Sequence, residues 1–229
     1  MDISLSTSGD CESSQALPIS ISNSDDVPGN QGAASEGSET AVTLTQLKTE
    51  LLTDALAIDC EGVGIGPKGR KNIAARVSIV NEHGDCVYDT YVRSSQPVTD
   101  YRTWLTGIEK KHLDSGRDLE EVRKEVQAIL KGRKLVGHAL HNDFRMLKYE
   151  HPEYLVRDTS TYDVFRSISR QCHPSLKTLA KLVLDITIQN GLHDSVVDAR
   201  TAMQLYQKYK KVWEETEYGW PVLPEENPR

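Results

Sequence analysis

An apolar run, Leu56-Ala57-Ile58-Asp59-Cys60-Glu61, ends in two carboxylates one residue apart. In a β-strand alternate side chains share a face, so Asp59 and Glu61 stand side by side while Cys60 turns away. Ionised carboxylates held that close repel, and burying them without partners is costly. A divalent cation between them removes the conflict. The plain alternative for a lone D-x-E is a pair of solvated acids past a strand end. A second place is Gly191-Leu192-His193-Asp194-Ser195-Val196-Val197-Asp198. Asp198 shares a helical face with the apolar Ala202 and Leu205 and with Tyr209. The helix dipole favours an acid in a first turn, but it does not explain one on an apolar face. The third place is Asp143, after the short apolar run Leu135-Val136-Gly137, where helix capping is the plain reading. His193, taken alone, reads as a loop residue.

The elements that must position these groups follow from periodicity. Ala55 to Asp59 reads as a buried strand, and Gly62 to Pro67 as a flexible excursion followed by positive charge at Lys68, Arg70 and Lys71. That stretch is neither a Walker A loop nor a dinucleotide fingerprint. Arg76 to Asn81 and Cys86 to Val92 flank Glu82-His83-Gly84-Asp85, a hairpin turn. Gln96 to Gly116 is irregular. Asp118 caps a helix with Leu119, Val122, Val126, Ile129 and Leu130 on one face, and Gly132 ends it. Lys134 to His138 is a short strand, a helix runs from His141 to about Tyr149, and Arg157 to Thr159 is extended. Ser175 to Leu184 is apolar on one face, and the last helix runs from Ser195, read as its cap, to Glu214. Three antiparallel strands followed by alternating helices and strands predict an α/β fold with a sheet of mixed direction.

Composition narrows the class. Seven acids and no Lys or Arg fall in residues 1–46, which leaves 27 acids against 27 bases in the rest. The net charge of -7 therefore does not exclude a nucleic-acid partner, because the remainder is neutral. Residues 1–46 are rich in Ser and Gly, lack aromatics and are expected to be a disordered acidic tail. A folded domain is expected over 47–215 and an extended tail over 216–229. No run approaches a membrane span, so no membrane partner is expected. Met1-Asp2-Ile3-Ser4 lacks the basic and apolar regions of a secretory signal. The four scattered cysteines form no C-x-x-C pair, which argues against a zinc ribbon and for a reducing, intracellular compartment.

Together, D-x-E, N-D and H-x-x-x-x-D form a familiar order. The chain resembles the DEDD 3′–5′ exonucleases with a catalytic histidine. Further words place it near the RNA exonuclease 4 and interferon-stimulated exonuclease branch: Val77-Ser78-Ile79-Val80-Asn81, Thr99-Asp100-Tyr101-Arg102-Thr103, Gly137-His138-Ala139-Leu140-His141-Asn142-Asp143, Arg157-Asp158-Thr159-Ser160 and Asp198-Ala199-Arg200. The resemblance covers Ala55 to Trp213 and implies a ribonuclease H-like, DnaQ-like mixed sheet flanked by helices. It departs at one place, where Gly62 stands for the branch's usual Met after the glutamate.

What the resemblance implies is specific. Asp59, Glu61 and Asp198 would hold one ion, and Asp59 with Asp143 a second. Four carboxylates suit two Mg²⁺ or Mn²⁺ ions rather than zinc. His193 would act as general base towards the attacking water. Arg102, His138 and Asn142, together with Arg70 in the basic run, would contact the nucleic acid. The expected activity is removal of nucleoside 5′-monophosphates from the 3′ end of single-stranded RNA, with DNA left open. A monomer in the nucleus or nucleolus, engaged in rRNA processing, completes the expectation. The alternatives are a non-catalytic nucleic-acid- or protein-binding module on the same fold and a DNA exonuclease. A Ser-His-Asp hydrolase lacks G-x-S-x-G, and a zinc protease lacks H-E-x-x-H.

Overall fold

The computed structural model describes residues 51–216. The tail expected over 1–46 lies outside the described residues. So does the extended tail beyond Thr216, which itself ends the last helix. The order is β1 (Ala55–Ile65), β2 (Lys71–Asn81), β3 (Cys86–Tyr91), β4 (Val98–Asp100), α1 (Thr103–Thr106), α2 (Lys110–Asp114), α3 (Leu119–Leu130) and β5 (Lys134–Gly137). There follow α4 (His141–Leu147), β6 (Val156–Asp158), α5 (Asp163–Ser169), α6 (Leu176–Leu179) with a π-turn over Ala180–Leu184, and α7 (Ser195–Thr216). The sheet runs β3-β2-β1-β5-β6, with β4 on the far end of β1. The β1, β2 and β3 strands are antiparallel, while β5 and β6 run parallel to β1. This is the mixed α/β sheet flanked by helices that the residue pattern predicts. No helix among the described residues is long and apolar enough to cross a membrane.

β1 is central, and its alternation divides the molecule. Ala55 and Ala57 pack with Phe165, Leu179, Ala199, Ala202, Met203 and Tyr206 beneath α5 to α7. Leu56, Ile58 and Cys60 pack with Val122, Val126, Leu130 and Leu147 beneath α3 and α4. By the same two-residue period Asp59 and Glu61 fall on the α7 side, and Gly62 on the α4 side.

Two expectations are corrected here. Gly62 to Ile65 is no excursion: β1 continues through it, and β2 begins at Lys71 rather than Arg76. Glycine is needed in this strand because backbone crowds it. A Cβ on Gly64 would lie 2.6 Å from the Gly69 carbonyl oxygen. The cap of α7 is Asp194, not Ser195: Asp194 Oδ1 accepts from Val196 N at 2.9 Å. Ser195 is instead fully buried and its Oγ lies 2.6 Å from Ser78 Oγ on β2. That bond, in the range of about 1 kcal/mol, pins the first turn of α7 to the sheet. The irregular stretch after Gln96 resolves into β4 and the single-turn helices α1 and α2, the latter closed by a Glu109–His112 capping box.

Candidate active site

The pairing of β1 with β5 stops at Ala57↔Val136, while β1 continues. Past that point β1 has no β5 neighbour, and the chain leaving β5 fills the space. It turns at Ala139, whose φ is 57°, a left-handed value that a non-glycine residue adopts only when held there. Asp158 holds it. Its carboxylate accepts from Ala139 N and Leu140 N at 2.9 Å each and from Ser160 Oγ at 2.7 Å. The turn delivers Asp143, in the first turn of α4, to the edge of β1, where its carboxylate accepts from the Cys60 thiol and the Cys60 N–H. Arg157, beside Asp158, forms a bidentate pair with Glu214 at 2.9 Å and so ties β6 to the end of α7.

From the other side α7 presents Asp198, 5% exposed, and the loop before it presents His193. His193 is anchored through its backbone, whose N–H donates to Leu105 O at 2.7 Å. Its Nδ1 lies 3.9 Å from Asp198 Oδ2. Ligand-type atoms of Glu61, His193 and Asp198 all lie within 4.8 Å of one another. Gln189 Nε2 donates to Asp198 Oδ2 at 2.8 Å. That bond fixes the rotation of the carboxylate and leaves Oδ1 buried without a hydrogen-bond partner, as Glu61 Oε1 also is.

The electrostatics follow from this crowding. Burial raises Asp59 well above the usual carboxylate range, and the charges of Asp143, Asp198 and Glu61 raise it further. Burial, reinforced by Asp198, pushes Glu61 up to about 7 against the opposing pull of Arg76. Asp143 is pushed up to about 7 by burial, with the Cys60 hydrogen bonds acting the other way. Asp198 is raised by burial and pulled back by Gln189 and His193. Four acids from three segments therefore share one field. Buried acceptor atoms without donors, among like charges, are what hard divalent cations satisfy. The donor set fits that group.

The five residues expected to carry the chemistry come together. Of the expected substrate contacts, Asn142 sits exposed beside Asp143 at the start of α4. His138 is half-buried, with Nδ1 2.9 Å from Thr159 Oγ1 and a further bond to the Pro174 backbone. Arg102 donates to Asn72 Oδ1 at 2.6 Å and to Gly69 O at 3.3 Å, bracing the β1–β2 turn rather than reaching the carboxylates. Arg70 is exposed on the rim of a separate cavity. Position 62, where the branch carries Met, faces α4: a Cβ there would stand 2.8 Å from Met146 Sδ. Met146 fills that space.

Sequence reasoning missed Arg76, Asp194 and Gln189. Arg76 bonds Asp89 in bidentate fashion at 2.8 Å and lies 3.6 Å from Asp194 Oδ1, providing the site's nearby positive charge. The available signal for it was its position opposite Glu61 across the β1–β2 ladder.

Comparison with known proteins agrees with this geometry. A family model described as Exonuclease matches residues 56–206. RNA exonuclease 4 of Homo sapiens is 51% identical over 180 residues, 77% of this chain and 43% of that protein. The Mus musculus protein of the same name is 53% identical over 163 residues, 71% of this chain and 38% of its own. The chain thus spans less than half the length of these relatives. Among solved structures, the Neurospora crassa Pan2 catalytic unit (protease and nuclease domain) has a TM-score of 0.63 at 29% identity, over 73% of this chain and 28% of that one. A Saccharomyces cerevisiae Pan2 module in complex with AAUUAA RNA has a TM-score of 0.61 at 29% identity, over 71% and 30%. The matched span runs from the first residues of β1 to Tyr206 on α7 and so includes every carboxylate of the cluster: the chain belongs to the DEDD-type exonuclease family.

Proposed function

We propose that the chain is a divalent-metal-dependent 3′–5′ exonuclease acting on single-stranded RNA and releasing nucleoside 5′-monophosphates. The observation that carries this reading is the pair of buried, donorless oxygens, Glu61 Oε1 and Asp198 Oδ1, inside a field of four carboxylates beside His193. Asp59, Glu61, Asp143 and Asp198 would hold two Mg²⁺ or Mn²⁺ ions. Bound there, such ions supply Lewis-acid charge that stabilises the attacking and leaving oxygens of an in-line phosphoryl displacement.

The chain's own residues do the rest. His193 accepts the proton of the attacking water at a ring nitrogen, its position set by the Leu105 carbonyl at its backbone and by Asp198 beside its ring. Gln189 orients Asp198, and Cys60 orients Asp143. Arg76 balances part of the negative charge so that Glu61 can ionise near neutrality. RNA as substrate is supported by the relatives named RNA exonuclease 4 and by the RNA carried in the Pan2 complexes. A monomeric state, nuclear location and a role in rRNA processing belong to the same proposal and rest on the family resemblance.

The test is digestion of 5′-labelled single-stranded RNA, single-stranded DNA and duplexes with Mg²⁺, Mn²⁺ or EDTA. The expected result is a metal-dependent ladder of labelled RNA shortening from its 3′ end, with the unlabelled mononucleotides it releases identified by chromatography. Binding without shortening in either metal would assign the fold to a non-catalytic module, and faster shortening of DNA would make it a DNA exonuclease.

A further inference from the structure

A cavity of about 380 Å³ opens between the start of β2, the β3–β4 loop and α4, on the α4 side of β1. Five cations line it, Arg70, Lys71, Arg93, Arg145 and Lys148, and no acid does. Among the described residues none of the five has an ion-pair or side-chain hydrogen-bond partner. The contrast with the rest of the molecule is plain. Arg76 is paired with Asp89, Arg117 with Glu125 and Arg157 with Glu214. Like charges gathered on a concave surface raise their own energy unless an anion joins them. The floor, which includes Ile73 and Met146, is apolar, and no aromatic side chain lines the cavity. It therefore offers no stacking platform for a base, and what it favours is a phosphodiester.

The cavity is also close to the carboxylates. Met146, in its floor, lies against Gly62, the residue after Glu61. On α4, Asp143 and Met146 are three apart and so neighbours on one helical face, about 5–6 Å between their Cβ atoms.

We propose that this cavity is a second subsite, binding phosphodiesters of the substrate strand on the 5′ side of its terminal nucleotide. This rests on the exonuclease reading above. A strand whose 3′ end lies at the carboxylates passes over α4 and meets the cavity within a few nucleotides. A dinucleotide has one phosphodiester, the scissile one, and so has none left to place in the cavity.

The experiment neutralises three of the cations together, Arg93→Gln, Arg145→Gln and Lys148→Gln. It compares a dinucleotide with a single-stranded RNA of about twelve nucleotides, by turnover with Mn²⁺ and, for the long RNA, by fluorescence anisotropy in EDTA across a salt series. The expected result is an unchanged dinucleotide rate, which also shows that the variant is folded. Affinity for the long RNA falls roughly 10–50-fold, and the slope of log affinity against log salt falls by about 2, near 0.7 for each of three phosphates. Equal losses on both substrates, or unchanged affinity and slope for the long RNA, would overturn the subsite. So would tighter binding by the variant. If the wild type cleaved neither substrate, the exonuclease reading would fail, while anisotropy would still report on the cavity.

Discussion

Glu61→Gln tests the crowding of the carboxylates without requiring turnover. Burial and Asp198 carry Glu61 from an ordinary 4.5 to about 7 in the folded chain. Between those values the folded state holds a proton that the unfolded state has lost, so rising pH destabilises the fold. The cost is absent below about 4.5 and complete above about 7, where it reaches roughly 3 kcal/mol at about 1.4 kcal/mol per decade. Gln carries no charge and escapes it. In EDTA at pH 8 the variant should therefore unfold roughly 6–12 °C higher than the wild type, taking about 2–4 °C per kcal/mol for a chain of this size. Near pH 4.5 the two should coincide. Divalent ions act in the opposite sense, since a ligand at 100 times its Kd stabilises the native wild type by about 2.7 kcal/mol. Saturating Mn²⁺ should therefore close the gap at pH 8. The assay is thermal unfolding followed by far-UV circular dichroism at both pH values, with and without Mn²⁺. A variant less stable than the wild type in EDTA at pH 8, or a gap independent of pH, would mean that Glu61 is not held protonated by burial and its neighbours.

Three further outcomes are expected. Asp59→Asn, Asp143→Asn and Asp198→Asn should each lower single-turnover cleavage roughly 10²–10³-fold, the equivalent of several kcal/mol of transition-state stabilisation. Their circular dichroism should match the wild type, and any one of them with a normal rate would lose its place in the site. Gln189→Ala frees Asp198 Oδ2 and should weaken Mn²⁺ binding about tenfold by calorimetry, as loss of an orienting hydrogen bond does elsewhere. Gly62→Met should cost about 1–3 kcal/mol by overpacking against Met146, and adding Met146→Ala should recover most of it in denaturant unfolding. No recovery would place the clash elsewhere.

The central strand and the last helix were legible because their apolar periods are long and their acids violate them. Asp198 stands buried on the face that carries Ala202 and Leu205, where the helix dipole alone does not account for an acid. The extent of β1 was not legible. Gly62, Gly64 and Pro67 carry loop signals, yet Gly64 serves a close backbone approach to Gly69, a tertiary contact with no local signature. Arg157-Asp158-Thr159-Ser160 was visible as a motif but not as a scaffold. Its carboxylate acts on the turn at Ala139, nineteen residues away in sequence. Arg102 and His138, expected at the substrate, also bond the protein's own backbone and side chains, and those tertiary bonds have no local signature in the sequence. Gln189 carried no signal, since an amide near a helix start is unremarkable until its partner is known.

The neighbours of His193 allow it two roles. A ring nitrogen lies within 4.8 Å of carboxylate oxygens of Glu61 and Asp198, so it can serve either as an ion ligand or as the base that accepts the water's proton. Hard divalent ions prefer oxygen donors, which leaves the imidazole for the proton. The deciding measurement is single-turnover release of the 3′ nucleotide by His193→Ala as a function of Mn²⁺ concentration. The expected result is a plateau lowered roughly 10²–10⁴-fold with an unchanged half-saturating concentration. A plateau that regains the wild-type rate at high Mn²⁺ would make His193 a ligand, and a rate unchanged at every concentration would remove it from the chemistry.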